Sequence, residues 1–152
     1  MISICFICHG NICRSISAEY IFKKMLHDHH LVDKFYVFSR GVSSEEEGND
    51  IYPPMKKVLI KHDVPISRSY ARKITIKEME ETDYLIVMDS SNKYLLSRIS
   101  PLYQEKTFLL KHFNHDESDI EDPWYSGRYE LVYQEIDNSL KALLDYLLEL
   151  GV

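Results

Sequence analysis

The sequence predicts a single α/β domain built on a four-stranded parallel sheet with helices on both faces. Short runs of strand-forming residues alternate with segments whose apolar residues recur every three or four positions. Strands that alternate with helices are normally joined by right-handed crossovers into a parallel sheet. In addition, no repeat, linker or shift in composition divides the chain, so residues 1–152 are expected to form one domain.

The amino-terminal part of the chain predicts two strands and the helix between them. Residues 3–7 carry few charges and several strand-favouring side chains, as a strand buried on both faces does. Residues 35–39 predict the second strand, which Gly41 closes. Residues 16–29 predict a helix whose apolar stripe is formed by Ala18, Ile21, Phe22, Met25 and Leu26.

A loop and two helices are expected next. Residues 43–54 are rich in Ser, Glu, Gly, Asn and Pro, which is typical of a loop. Pro54 can open a helix over residues 55–63, because proline suits the first helical turn. Residues 75–81 predict a short polar helix, for which Thr75 can supply the cap.

The second half of the chain completes the predicted sheet. Residues 83–88 give the strongest internal strand pattern, and residues 89–99 follow as a helix. Residues 106–110 predict the fourth strand, and residues 112–128 predict a long loop. The last helix is expected over residues 129–150, where the recurring apolar residues are Val132, Ile136, Leu140, Leu143, Leu144 and Leu147.

Composition and charge argue against several classes of function. Acidic residues outnumber basic ones by 24 to 18, and the net charge of −6 does not favour nucleic-acid binding. The longest apolar run, residues 2–8, is too short to span a bilayer, and no signal-peptide pattern is seen. The three cysteines are an odd number close together, which is no disulfide framework and fits a cytoplasmic protein in a reducing environment.

The stretch CFICHGNICRS, residues 5–15, is the leading candidate for a ligand site. It follows the first predicted strand, and open parallel sheets bind ligands at the carboxyl ends of their strands. A nucleoside-triphosphate loop would need glycines at both ends and a closing Lys-Ser/Thr, whereas this loop has Gly10 and no lysine. A structural zinc site would need a second cysteine pair, which the chain lacks.

The remaining interpretation is an anion-binding loop with a reactive cysteine, in the pattern Cys-x5-Arg-Ser. A loop of this length can turn its backbone N–H groups inward, and the following helix adds the partial positive charge of its N-terminus. Arg14 can close the ring with two parallel hydrogen bonds to a tetrahedral oxyanion. Cys8 then lies among positive groups that favour the thiolate, and Ser15 can donate its hydroxyl proton to that thiolate.

The plainer alternative is that the loop cysteines only pack. Most free cysteines behave as small apolar side chains, and Cys8 and Cys13 could both do so. Arg14, at the sixth position after Cys8, makes this alternative less favourable. Asn11, which suits a left-handed backbone conformation, also fits a tightly curled loop.

Attack at phosphorus requires a proton for the leaving group, and the best candidate donor lies in EDPWYSG, residues 121–127. Asp122 precedes a proline that holds it extended, on a loop that also carries Trp124 and Tyr125. A carboxyl group beside aromatic rings can stay protonated long enough to act as a general acid. An ordinary Asp-Pro turn is the alternative, and for this segment alone it would be preferred.

Taken together, these segments resemble the low-molecular-weight protein tyrosine phosphatases. The two specific motifs are ICHGNICRSISAE at residues 7–19 and DPWYSG at residues 122–127. Three supporting segments follow the family's order along the whole chain: SRGVSS at 39–44, HDVPISRSYARKI at 62–74 and DYLIVMDSSN at 83–92.

The resemblance implies metal-independent hydrolysis of phosphotyrosine in protein substrates, with no cofactor. Cys8 is then the nucleophile that forms a phosphocysteine intermediate, and Arg14 binds the phosphoryl group and its transition state. Asp122 is the general acid in the first step and the general base in the second. No metal is needed, because Arg14 and the backbone N–H groups neutralise the charge that Mg²⁺ handles in kinases.

Further roles follow from the same resemblance. Ser39 shapes the loop, and Cys13 lies beside Cys8 and is expected to form a reversible disulfide with it under peroxide. Trp124 and Tyr125 are expected to stack against the phosphotyrosine ring. The residues predicted to contact the substrate are His9, Gly10, Asn11, Ile12, Cys13, Ser15, Glu45, Trp124 and Tyr125.

Five positions depart from the family pattern. His9 stands where a small or apolar residue is usual, Ile16 where proline commonly begins the helix, and Arg40 where a small residue is usual. Glu45 occupies the place of a tryptophan that walls the cleft, and Ser69 that of a histidine that supports the loop. The pocket should therefore be less apolar on one side, with an acidic rim that disfavours strongly acidic phosphopeptides.

Three alternative functions were weighed against tyrosine phosphatase activity. Arsenate reductases share the fold but need further cysteines downstream, and this chain has none after Cys13. Protein-arginine phosphatases have a threonine before the second loop cysteine, where Ile12 favours a flat aromatic ring over a guanidinium. A non-catalytic phosphate-binding protein is opposed by the presence of Cys8, Arg14 and Asp122.

Overall fold

The computed structural model describes residues 1–151 and has the predicted α/β architecture. The strands are β1 Ile2–Cys8, β2 Phe35–Gly41, β3 Tyr84–Val87 and β4 Thr107–Leu109. The helices are α1 Arg14–Asp28, α2 Pro53–Lys61, α3 Ile76–Glu81, α4 Ser90–Ile99, α5 Pro123–Ser126 and α6 Tyr129–Glu149. Short 3-10 segments cover Val32–Lys34, Pro101–Lys106 and Leu110–Asn114.

The four strands form one parallel sheet, as predicted, and their order in it is β2-β1-β3-β4. Strand β1 is central, and its last residues pair with the ends of both neighbours: Cys8 lies opposite Gly41 and Ile7 opposite Val87. The carboxyl ends of the strands therefore meet at one edge of the sheet, where the loop after β1 begins. This edge is where ligands bind in open parallel sheets.

Helices cover both faces of the sheet, which confirms the predicted layering. On one face, Phe6 of β1 packs edge-on against Phe22 of α1, with ring centroids 5.8 Å apart, in a core that α2 and α6 complete. On the other face, Cys5 and Ile7 pack with Met79 of α3 and Leu96 of α4. Alternate residues of β1 thus enter two separate cores, and burial on both faces explains the uncharged sequence of this strand.

Helix boundaries differ from the sequence predictions mainly near the loops that carry polar residues. Helix α1 begins at Arg14 instead of residue 16, so Arg14 and Ser15 lie in its first turn. Helix α2 begins at Pro53, one residue before the predicted Pro54. Thr75 does cap α3, through a capping box with Glu78. These shifts are of the size expected at helix ends, where local signals are weakest.

The sequence predicted one long loop over residues 112–128, and this prediction was wrong in part. They include the end of the Leu110–Asn114 3-10 segment and all of α5, a single turn over Pro123–Ser126. Asp122 caps α5, and Gly127 ends it in the left-handed conformation, at φ 72°. A one-turn helix is too short for an apolar periodicity, although a capping residue, an N-terminal proline and a terminal glycine are its ordinary start and stop signals.

None of the helices in residues 1–151 is both long enough and apolar enough to span a membrane.

Candidate active site

The loop between β1 and α1, residues 8–15 and here called the phosphate loop, curls tightly over the end of the sheet. Asn11 adopts the predicted left-handed conformation, at φ 63°. Gly41 of β2 lies directly beneath, where a Cβ atom would be 2.8 Å from the His9 carbonyl oxygen and 3.3 Å from the Asn11 nitrogen. Glycine at this position therefore allows the loop to approach the neighbouring strand.

A hydrogen-bond relay inside the phosphate loop points a proton at the cysteine. The Asn11 side-chain amide donates to the Ser15 hydroxyl oxygen at 2.8 Å. Because that oxygen accepts from Asn11, its own proton is free to point at the Cys8 sulfur, 3.0 Å away. A thiolate at Cys8 is stabilised by this donor. The expected interaction between Ser15 and Cys8 is thus present.

Three other segments hold Asn11 in place. Its amide also donates to the Ser39 hydroxyl oxygen at 3.0 Å, and the Ser39 hydroxyl in turn donates a hydrogen bond to the Glu19 carboxylate at 2.7 Å. Its side-chain oxygen accepts from the Arg72 backbone N–H at 3.1 Å. Ser39, to which the resemblance assigns a loop-shaping role, thus lies in direct hydrogen-bond contact with the loop. Glu19 was not identified from the sequence, because a glutamate on a helix face is usually solvated.

The N-terminus of α1 is open toward the phosphate loop. Within residues 1–151 no side chain caps this helix at Cys13, and its first turn carries no acidic residue. Uncapped N–H groups and the helix dipole together attract an anion. The arrangement can hold a tetrahedral oxyanion next to the Cys8 sulfur.

Arg14 is buried, and two hydrogen-bond acceptors hold one side of its guanidinium. Its Nη1 donates to the Asp89 carboxylate at 2.7 Å and to the Ile120 carbonyl at 2.9 Å. Burial alone lowers the pKa of Arg14, but the neighbouring Cys8 and Asp89 raise it by more, so the side chain stays charged. Asp89 thus anchors the guanidinium through Nη1, and the Nη2 atom faces Asp122 Oδ2 at 3.5 Å.

Asp89 was missed by the sequence interpretation, although a signal for it exists. It follows β3 at the same edge of the sheet and caps α4 through a capping box with Asn92. Polar residues at the carboxyl end of a parallel strand are candidates for the ligand site. Its Oδ1 atom accepts from the Asn92 N–H, while its Oδ2 atom binds Arg14.

Asp122 reaches the same place from the other end of the chain. Its Oδ1 atom accepts from the Trp124 N–H at 3.0 Å, as part of the cap of α5. Its Oδ2 atom lies 3.5 Å from Arg14 Nη2, and its side chain is 29% exposed. One carboxylate oxygen is thus fixed by the helix, and the other faces the site and remains accessible to solvent and substrate.

A cavity of 190 Å³ opens above Cys8. Its lining brings together the predicted nucleophile, arginine and acid with most of the residues predicted to contact the substrate. The lining residues are Cys8, His9, Gly10, Ile12, Cys13, Arg14, Glu45, Glu46, Asp122, Trp124 and Tyr125. Among the predicted contacts, Asn11 and Ser15 lie behind this surface and support it, and Glu46 is an addition that the sequence interpretation did not name.

The rim of the cavity is acidic on the side of residues 45–47. Glu45 is 74% exposed in its side chain and pairs with His9 at 3.6 Å. Glu46 accepts from the Asn49 side chain at 2.7 Å, and Glu47 accepts from the Lys73 backbone N–H at 3.1 Å, outside the cavity lining. Glu45 therefore presents the least engaged charge at the rim.

Cys13 lies in the cavity wall next to the nucleophile. Burial raises its pKa, and the negative charge of Cys8 and Asp122 raises it further. Cys13 accordingly stays a neutral thiol at neutral pH. Its neighbour Cys8 differs in its surroundings, because its sulfur lies 3.0 Å from the Ser15 hydroxyl.

Ser69, where the family pattern has a histidine, joins a hydrogen-bond network with Asp50 and Tyr20. Its N–H donates to Asp50 at 3.0 Å, and its hydroxyl bonds Tyr20 at 2.7 Å. Burial raises the pKa of Asp50, but hydrogen bonds from Ser69, Lys56 and Ile51 outweigh it and bring the value to about 2. Asp50 thus fixes the segment whose Arg72 N–H holds Asn11.

Comparison with known proteins agrees with this geometry. The family model "Low molecular weight phosphotyrosine protein phosphatase" matches residues 3–150. The low molecular weight protein-tyrosine-phosphatase PtpA of Staphylococcus aureus is 34% identical over 150 residues, which cover 98% of this chain and 96% of PtpA.

Solved structures show the same likeness. YfkJ from Bacillus subtilis superposes with a TM-score of 0.94 at 29% identity, over 98% of this chain and 96% of YfkJ. The YwlE arginine phosphatase superposes with a TM-score of 0.87 at 25% identity, over 96% of this chain and 95% of YwlE. This chain is a phosphatase, and it belongs to the low molecular weight phosphotyrosine protein phosphatase family.

Proposed function

We propose that this protein hydrolyses phosphotyrosine in protein substrates through a phosphocysteine intermediate. The observation that carries the proposal is the convergence of Cys8, Arg14 and Asp122 on one cavity walled by Trp124 and Tyr125. Each of the three side chains has a distinct chemical environment, and each environment suits one step of phosphoryl transfer.

In the first step the phosphoryl oxygens bind the open N-terminus of α1 and the Nη2 side of the Arg14 guanidinium. The Cys8 thiolate attacks phosphorus in line, and the bond from phosphorus to the phenolic oxygen breaks. The departing oxygen takes a proton from the Asp122 carboxyl group, so tyrosine leaves in its neutral form. Arg14 and the N–H groups neutralise the charge in the transition state, and the scheme requires no divalent cation.

In the second step the Asp122 carboxylate takes a proton from water, and the water oxygen attacks phosphorus. The phosphorus–sulfur bond breaks, which releases inorganic phosphate and returns the Cys8 thiolate. The Ser15 hydroxyl, 3.0 Å from the sulfur, stabilises the thiolate as it leaves. Asp122 is thereby ready, again protonated, for the next substrate.

Arginine phosphatase activity is the second candidate, and two observations favour it. The YwlE arginine phosphatase shares the fold at 25% identity. Glu45 and Glu46 at the rim could also accept hydrogen bonds from a guanidinium. Ile12 in the cavity wall opposes it, because a branched apolar side chain packs against a flat aromatic ring and offers a guanidinium no partner.

One experiment separates the two candidates. The same peptide, carrying either phosphotyrosine or phosphoarginine, is incubated with wild-type protein and with Cys8→Ser in the presence of a metal chelator. Phosphotyrosine hydrolysis that disappears in Cys8→Ser is the expected result. Preference for phosphoarginine would replace the first candidate by the second, and phosphate binding without hydrolysis of either peptide would overturn both.

A further inference from the structure

The Tyr52 side chain is not needed as a helix cap, although Tyr52 is the N-cap residue of α2. Pro53 and Pro54 have no N–H group to be capped, and the Met55 N–H donates to the Tyr52 carbonyl oxygen at 3.0 Å. The Tyr52 ring is therefore available for contacts with other parts of the molecule.

The backbone of Tyr52 is joined to the phosphate loop. Its N–H donates to the Ile12 carbonyl oxygen at 2.8 Å. Ile12 is part of the cavity wall, between the nucleophile and Arg14 in the sequence. The start of α2 is therefore fixed relative to the floor of the site, and any group that packs on the Tyr52 ring is placed relative to that floor.

The Tyr52 ring packs on the loop that carries the acid. Its centroid lies 4.9 Å from that of Trp124, in α5, and 6.1 Å from that of Tyr129, the first residue of α6. The Trp124 N–H in turn donates to Asp122 Oδ1 at 3.0 Å, which leaves Oδ2 facing Arg14. A continuous path of contacts thus runs from the phosphate loop through Tyr52 and Trp124 to the acid.

The base of this loop has other support, because Arg128 Nε donates to Glu121 at 2.9 Å and Pro123 is buried, but its outer side is open. Helix α5 is a single turn, and Trp124 and Tyr125 are 54% and 86% exposed. A short, exposed turn is easily displaced unless a side chain holds it. The Tyr52 ring is a partly buried aromatic surface that meets this need.

We propose that Tyr52 is a positioning residue for the general acid. Its ring holds Trp124, and the Trp124 N–H fixes the Asp122 carboxyl group at the mouth of the cavity. The inference rests on the proposed role of Asp122 as general acid. It assigns to Tyr52 no contact with the substrate. A loss of Trp124 packing against a substrate ring would affect similar aryl phosphates alike, so the loss of acid positioning should appear as a difference between leaving groups.

The test compares two aryl phosphates of nearly equal size, phenyl phosphate and p-nitrophenyl phosphate. Phenoxide is the more basic leaving group and depends more on the acid. Tyr52→Ala is expected to lower kcat/KM about tenfold for phenyl phosphate and less than about twofold for p-nitrophenyl phosphate. Tyr52→Phe, which keeps the ring, should stay within about twofold of wild type on both substrates. Inhibition by inorganic phosphate should not change, because the bond to Ile12 comes from the backbone.

The ratio of the two rates keeps the test valid even if a variant is partly unfolded, since unfolding lowers both rates equally. Tyr94→Ala, at an exposed tyrosine of α4, is the matched control and should leave the ratio unchanged. Equal losses on both substrates in Tyr52→Ala, or the same change in Tyr52→Phe, would overturn the inference. Asp122→Asn separates this failure from that of the proposed function: if Asp122→Asn does not change the ratio, it is the acid assignment that fails.

Discussion

The phosphate loop and the acid-bearing loop, residues 121–127, meet at one cavity but are built in opposite ways. In the phosphate loop Asn11, Arg14 and Ser15 are at most 4% exposed. In the acid-bearing loop Trp124 and Tyr125 are largely exposed, and a one-turn helix carries them. The first region is held by a network of buried hydrogen bonds. The second is held by the Asp122 cap, by the Glu121–Arg128 pair and by the contact of Trp124 with Tyr52.

This difference separates two tasks. Groups that stabilise charge in the transition state act best when they are fixed before the substrate arrives, which the buried phosphate loop provides. Groups that meet the variable part of a substrate need accessibility, which the acid-bearing loop and the glutamate rim provide. Changes in the phosphate loop should therefore affect every phosphate ester, whereas changes in the exposed regions should depend on the substrate.

The largest effect is expected from a change in the buried region. In Arg14→Lys the ammonium group keeps the charge but cannot hold Asp89, the Ile120 carbonyl and a phosphoryl group at once. We expect kcat/KM to fall about 10³-fold for phenyl phosphate and p-nitrophenyl phosphate alike. Steady-state kinetics on both esters would check this, and a loss confined to one ester would contradict the division of tasks.

The next largest effect is expected at the acid. Asp122→Asn removes the proton donor but can still accept the Trp124 N–H, so α5 stays capped. The rate for phenyl phosphate should fall about 10²-fold, with a smaller loss for p-nitrophenyl phosphate. Kinetics across a series of substituted phenyl phosphates measures this dependence, and a loss that does not vary with the leaving group would speak against Asp122 as the acid.

Oxidation tests the two cysteines within the buried region. Peroxide should convert the Cys8 thiolate to a sulfenic acid, and the Cys13 thiol should displace water from it to form a disulfide. Dithiothreitol should then restore most of the activity of the wild type. The recovered activity should be about tenfold lower in Cys13→Ser, where Cys8 is oxidised further to a sulfinic acid that dithiothreitol does not reduce. Activity assays before and after reduction measure both, and equal recovery in the two proteins would exclude a protective disulfide.

A smaller effect is expected at the acidic rim. Glu45→Gln removes the least engaged charge, so phosphopeptides with acidic flanking residues should be hydrolysed about threefold faster than by wild type. Glu47→Gln is the control, because Glu47 lies in the same run of glutamates but outside the cavity lining, with its carboxylate bound to the Lys73 backbone N–H. Peptide kinetics at low and high salt would measure the effect, and an increase that persists at about 1 M salt would not be electrostatic in origin.

The smallest effect concerns stability. The pKa of Asp50 is lowered from 3.8 to about 2 in the folded protein. The charged carboxylate therefore stabilises the fold fully at pH values above the pKa of the unfolded state. That contribution, about 1 kcal/mol after allowance for solvent screening, should be lost as the pH falls from about 4 through about 2. Denaturant unfolding of wild type and Asp50→Asn should give free energies that converge over this range, and a constant difference would contradict the assignment.

The sequence predicted the parts of the structure that depend on local signals. The order of strands and helices along the chain, the cap at Thr75, the left-handed Asn11 and the position of Cys8 and Arg14 after the first strand follow from short patterns. Asp122 was selected only through the family resemblance, because its own segment favoured an ordinary turn. Helix α5 escaped prediction because one turn has no periodicity, although its cap, proline and glycine were visible.

The contacts of the supporting residues could not be predicted in the same way. The position of Asp89 after β3 marks it as a site candidate, but its bond to Arg14 spans 75 positions of the chain. Glu19 of α1 reaches Asn11 through Ser39 of β2, and the Tyr52 ring meets Trp124 of α5. Such pairings depend on the relative placement of whole elements, and no local pattern of a single sequence specifies them.

The most direct test of the central claim is to trap the covalent intermediate. Wild-type protein is mixed with a peptide carrying ³²P-labelled phosphotyrosine, quenched in alkaline denaturant within the first turnovers, digested and mapped. We expect the label on the peptide that contains Cys8, and no label in Cys8→Ser. Continued hydrolysis with no label on the protein, or a label on a different residue, would contradict the phosphocysteine mechanism.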